Sequence, residues 1–191
     1  MTKKRIIIAI FLSQILLIGC AGTINVEKYP FGSPIHHVNN GIRFLDMGFT
    51  DDAFREFTLA IKDDKHFSPG YAGKGIYWSM VGVPDVAQGY IHLSLKYADD
   101  TKEEIFALKS SMRVEVSIKG ENWLNTVTDN FTNISKKGGV DAQTYYWMGT
   151  ALLNAGDLSG AHKYFRKATE LVGKYKRLSE EQLKNNQMET P

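Results

Sequence analysis

The sequence predicts an all-α fold built as an array of helical hairpins. Three observations carry that prediction. Apolar residues recur at helical spacing through most of the 191 residues. Residues 141–172 read as two amphipathic helices joined by a tight turn at Asn154-Ala155-Gly156-Asp157. The small and bulky residues of that stretch return in the same order twice earlier in the chain.

The 141–172 stretch shows how each hairpin is specified. Asp141 is placed to cap the first helix, because its carboxylate can accept a hydrogen bond from an amide of the first turn. Tyr145, Met148, Leu152 and Leu153 follow at helical spacing. Gly149 sits mid-helix, where glycine costs about 1 kcal/mol against alanine; such a cost implies close approach of a neighbouring helix. Gly156 takes the positive φ of a helix end cheaply, and Asp157 can cap the next helix. On that helix Ala161, Phe165 and Ala168 share one face, extended by Leu158 and Leu171.

The same marks stand at Gly41, Phe44, Gly48, Ala53, Phe57 and Ala60, and again at Gly75, Trp78, Gly82, Ala87, Ile91 and Ser94. Gly41 and Gly75 are 34 residues apart, and Gly75 and Gly149 are 74 apart. A helix pair repeating every 34 residues resembles the tetratricopeptide repeat. The resemblance covers about half the chain. It implies a right-handed array of about three recognisable repeats plus one divergent helix pair. Ser94 stands where that family usually has alanine, and its proline after the second helix is matched only by Pro69.

The elements follow in order. Residues 1–19 have a basic start (Lys3, Lys4, Arg5) and an apolar run from Ile6 to Leu17, too short to span a bilayer. The run ends in Leu17-Ile18-Gly19-Cys20, which resembles a bacterial lipoprotein box. That resemblance implies cleavage before Cys20 and acylation of its sulfur. Cys20 is the single cysteine of the chain, and lipidation would account for an unpaired thiol in an exported protein. The other reading is an ordinary signal peptide with an incidental cysteine. Ala21, rather than aspartate, follows Cys20, which in enteric-type bacteria resembles an outer-membrane sorting signal. The localisation expected is the bacterial cell envelope, lipid-anchored at the outer membrane and facing the periplasm.

Residues 20–33 are expected to hold the lipidated cysteine and a tether, 34–173 the repeat domain, and 174–191 a polar C-terminal capping helix and tail. Ser33-Pro34 and Ser68-Pro69 each combine a capping residue with proline at the first helical position. They predict helices near 34–47 and 69–81, with partners near 51–64 and 84–98. Thr101-Lys102-Glu103-Glu104 reads as a capping box opening the divergent pair. Ile105, Leu108, Met112 and Val116 predict one helix, and Leu124, Val127, Phe131 and Ile134 another. A period-two strand at residues 114–118 is the alternative; the helical flanks favour helix. Lys136-Lys137-Gly138-Gly139 is a loop. Leu178 and Leu183 could dock the last helix.

Charge excludes little. The chain carries 23 Lys and Arg against 21 Asp and Glu. Three of the bases lie in the leader, which leaves 20 against 21, a formal charge of −1. The remainder gives no basis for nucleic-acid binding. Catalytic motifs are absent: there is no nucleophile elbow, and no cysteine other than Cys20. Pro69-Gly70-Tyr71-Ala72-Gly73-Lys74-Gly75 lacks the spacing of a phosphate loop and reads instead as a tightly packed helix. His36 and His37 point about 100° apart on a helix, and no metal-ligand cluster accompanies them. Asp51-Asp52, Asp63-Asp64 and Asp99-Asp100 fall at helix ends and turns. The chain is therefore expected not to be an enzyme and to need no cofactor or metal.

The resemblance implies a concave groove, lined by the first helix of each pair, that binds a peptide or a partner helix. Among the matching positions are Asn39, Ile42, Ile76, Met80, Tyr146, Trp147 and Thr150. Trp147 beside Tyr146 is the expected anchor, since aromatic residues dominate binding hot spots. The basic and asparagine set of the family's carboxylate-binding subclass is not present, so the groove is expected to be apolar and aromatic. These residues could equally pack against the divergent pair or the C-terminal helix. The function expected is that of a membrane-anchored adaptor or assembly factor with a protein partner in the envelope. A self-associating structural subunit is the alternative.

Overall fold

The computed structural model describes residues 32–186. The expected leader, Cys20 and all but the last two residues of the expected tether lie outside the described residues, as do residues 187–191. The described residues form nine helices and no strand. They are α1 (Pro34–Asp46), α2 (Thr50–Asp63), α3 (Ser68–Met80), α4 (Pro84–Tyr97) and α5 (Thr101–Ile118). There follow α6 (Trp123–Lys136), α7 (Ala142–Asn154), α8 (Leu158–Thr169) and α9 (Lys174–Asn185). Residues 114–118 are helical, as their flanks favour.

The hairpin pairs are α1/α2, α3/α4, α5/α6 and α7/α8, and α9 closes the series. Each odd-numbered helix packs on the next odd-numbered one, from α1 to α9. Each even-numbered helix packs on its own partner and on the next odd-numbered helix. The result is an all-α hairpin array with an inner layer of five helices and an outer layer of four.

Glycine against a bulky side chain is the repeated joint. A Cβ at Gly149 would stand 2.8 Å from the Phe165 ring, and one at Gly75 would stand 2.9 Å from Ile91 Cδ1. At Gly41 the obstructing group is Phe57. Phe57 is held from the other side by Gly73, so the glycine-rich start of α3 is a packing surface. Ala53, Phe57, Ala60, Ala87, Ala161, Phe165 and Ala168 are buried. The turns end alike, with Gly48, Gly82 and Gly156 at φ +82°, +79° and +85°.

Two helix starts differ from the sequence reading. Ser68 is the first residue of α3 rather than its cap, and Phe67 precedes it without a side-chain cap bond. The Ser68 hydroxyl is buried and pairs with Ser94 Oγ of α4 at 3.1 Å, while Ser94 Oγ lies 3.0 Å from the Ser68 carbonyl. The hydroxyl is thus spent between helices, which also explains serine at position 94. In α5 the cap is Asp100, not Thr101; its carboxylate accepts from the Glu103 amide at 2.8 Å. Glu103 reaches back to the Asp99 amide at 3.2 Å, so the reciprocal bonds form one residue earlier than expected. The other caps agree. Ser33 accepts from the His36 amide, and Asp141 with Thr144 forms a full capping box.

The divergent pair uses different chemistry at the same kind of joint. Asn130 of α6 donates to Ser111 Oγ of α5 at 2.9 Å, and both are buried. Val127 and Ile134, fully buried, flank it. Lys119 and Asn122, both left-handed, turn the chain between the two helices.

Candidate functional site

One cavity of about 120 Å³ lies at the centre of the inner layer. Ile42 of α1, Ile76 of α3, Phe106 and Arg113 of α5, Gln143 of α7 and Tyr175 of α9 line it, with Lys109, Ser110 and Lys174. Five helices arranged in succession can share one cavity only if their layer curves around it. The inner face is therefore concave.

The predicted residues take different places on that face. Ile42 and Ile76 meet at the cavity, but Ile76 is almost fully buried and acts as wall rather than contact surface. Asn39 is exposed on α1, away from the cavity lining. Met80 is 45% exposed, and its sulfur lies 3.7 Å from Arg113 Nη2. Tyr146 and Trp147 are half-buried, with ring centroids 4.9 Å apart. The Thr150 hydroxyl donates to the Tyr146 carbonyl at 2.8 Å and so serves its own helix. Met80 and Trp147 are brought together through Arg113, whose guanidinium stands 5.7 Å from the Trp147 ring centroid. Asn39 and Thr150 do not join them.

The groove residues do pack in part against the divergent pair and the C-terminal helix, the alternative the sequence left open, and the particular side chains involved are what it did not name. One set is on the face of α5. Phe106, Lys109, Ser110 and Arg113 fall at helical spacing and all point to the cavity, which makes the groove basic as well as aromatic. The signal was present as i, i+3, i+4, i+7 periodicity, but it lay in the pair that lacks the repeat marks. The other set is on α9. Tyr175 sits 5.4 Å from the Tyr146 ring and 6.3 Å from the Trp147 ring, so the C-terminal helix covers part of the face it follows.

The electrostatics are largely settled within the chain. Lys109 Nζ donates to Asp141 Oδ2 at 2.7 Å. Burial alone would raise the Asp141 carboxyl, but the bonds from Lys109 and from the Thr144 amide outweigh it and hold it below the usual carboxylate range. Lys174 pairs with Asp46 across the groove. Arg113 has neutral neighbours, Met80 and Trp147. Burial pushes the Tyr175 hydroxyl up to about 12, so it stays protonated and acts as a poor base. Ser110 donates to the Phe106 carbonyl. The lining can hold an aromatic ring or an anionic group; it offers no activated nucleophile.

The histidine pair is also accounted for. His37 Nδ1 lies 2.8 Å from Glu56 and its Nε2 3.4 Å from Asp63, which ties α1 to α2. Asn40 lies 3.1 Å from His36 Nε2. Among the described residues no group of three His, Cys, Asp or Glu side chains is placed to hold a metal. No helix among them is long and apolar enough to cross a membrane.

Comparison of the chain with protein-family models, with curated proteins and with solved structures finds no match.

Proposed function

We propose that the protein is a lipid-anchored, tetratricopeptide-like adaptor or assembly factor of the bacterial cell envelope, and not an enzyme. The acyl chains on Cys20 hold it at the membrane, outer membrane being the expected one, and the groove holds a segment of a protein partner. The observation that carries the reading is the convergence of five inner helices on one cavity, close to the partly buried Tyr146 and Trp147. A concave face with aromatic anchors and a few placed charges suits capture of a peptide or helix. Two acyl chains suffice for stable anchoring, whereas one is marginal. Crosslinking pull-down from membranes tests this with the wild-type chain, Cys20→Ser and Trp147→Ala. The same envelope proteins should be captured by the wild type, lost with Cys20→Ser and weakened with Trp147→Ala. Capture indifferent to both substitutions would sink the proposal.

A second reading has its own observation. The hairpin turns expose Met47, Phe49, Val81, Val83 and Leu158, with Met47, Phe49 and Leu158 more than half exposed. Such residues favour self-association into a structural layer. Sedimentation separates the two readings: a stable oligomer supports self-assembly, and a monomer supports partner capture.

A further inference from the structure

The seat of the α9 first turn is the feature that partner capture leaves unexplained. The two ends of α9 are held differently. Its C-terminal half is docked: Leu183 packs with buried Ala161 and Phe165, and Ser179 is buried. Its first turn reaches the other way, into the groove. Tyr175 packs at a tilt against Tyr146 and edge-on to Trp147, and Lys174 crosses to Asp46 at the end of α1, 128 residues earlier in the chain. Apart from that ion pair, α1 and α9 make no close backbone approach. Lys174 is 40% exposed and Asp46 is 38% exposed, so water screens the bond that closes the groove. Just before the turn Val172 is 94% exposed and Gly173 has φ +114°, a conformation that glycine supplies cheaply. The turn therefore has a pivot on one side, a firm dock on the other and a weak link across the mouth.

We propose that Lys174-Tyr175 is an exchangeable occupant of the groove, standing in for a partner segment that carries an aromatic residue next to a cation. The proposal rests on the groove reading above and names the partner's chemistry. The aromatic ring would lie against Tyr146 and Trp147, over Arg113, and the cation would take Asp46. A tethered occupant competes at an effective concentration in the millimolar range, so the free groove is shut until a better ligand arrives.

The test uses the full chain in detergent and a labelled peptide of this chain's own residues 172–178, read by fluorescence anisotropy. A chain carrying Lys174→Glu and Tyr175→Ala should bind the peptide at least about tenfold more tightly than the wild type, whose own turn competes. A peptide with the same two substitutions should bind neither chain. Equal binding to both chains, or no binding to the doubly substituted chain, overturns the proposal. Loss of helical signal in the doubly substituted chain also overturns it, since the turn would then be part of the core. Envelope capture decides the adaptor reading independently, so the two can fail separately.

Discussion

At the level of single residues, stability turns on where a side chain has room. Gly149 lies against the fully buried Phe165 ring, and Gly89 of α4 has nothing within 4 Å of a new Cβ. Alanine gains about 1 kcal/mol of helix propensity over glycine at either site. At position 149 the overpacking costs about 1–3 kcal/mol. Gly149→Ala should therefore lower Tm by several degrees and Gly89→Ala should raise it, both read by thermal melts. Glu115 gives a pH-dependent case. Burial raises its carboxyl above the usual range, and its partner is Gln88 Nε2 at 3.2 Å. A raised acid is favourable to stability below its unfolded value and loses that advantage as pH climbs through the folded one. Glu115→Gln, which can keep the Gln88 bond, should stabilise the chain at pH 7, and the gain should vanish below about pH 4. A gain that persists at low pH would contradict the burial argument. The glycine joints were legible in the sequence because glycine mid-helix needs a reason. Glu115 was not, because α5 buries a wide arc and periodicity alone does not mark which polar residue falls inside it.

At the element scale the helices were legible and some of their starts were not. Proline at the first turn, turn glycines and the recurring small-and-bulky order located three hairpins, and apolar periodicity located the fourth. Ser68 reads as a cap from its place before Pro69, yet its hydroxyl is taken by Ser94 on the neighbouring helix, a contact 26 residues away that local rules cannot see. The pair makes a testable unit. Ser94→Ala should cost about 1–2 kcal/mol, because it strands the buried Ser68 hydroxyl. Adding Ser68→Ala should recover part of that loss. Additive losses in a denaturant melt would mean the two hydroxyls are not coupled. The divergent pair is recognisable as helices but not as a repeat, since Ser111 and Asn130 replace the glycine and aromatic marks with a hydrogen bond. The sequence predicts α9 as a polar cap. Its docking by Leu183 agrees with that, but the insertion of Tyr175 into the groove follows from curvature, which no local pattern encodes.

At the scale of the whole molecule the curvature of the inner layer is what turns a stack of hairpins into a site. It gathers residues from α1 to α9 around one cavity and brings Lys174 to Asp46. Cys20 lies 14 residues before α1, so the proposed acylation point and the groove belong to separate parts of the chain. Cys20→Ser should move the protein from the membrane pellet to the soluble fraction without changing its melt. In the proposed function the groove, rather than the apolar edge of turns, is the surface that meets another protein. Site-specific photo-crosslinking in membranes tests it most directly, with the crosslinker at Met80 in the groove and at Leu158 on the turn edge. Adducts with a defined envelope protein should form from Met80, and none with that protein from Leu158. Adducts only between copies of this chain, formed from Leu158 and not from Met80, would contradict it and favour the self-assembling subunit.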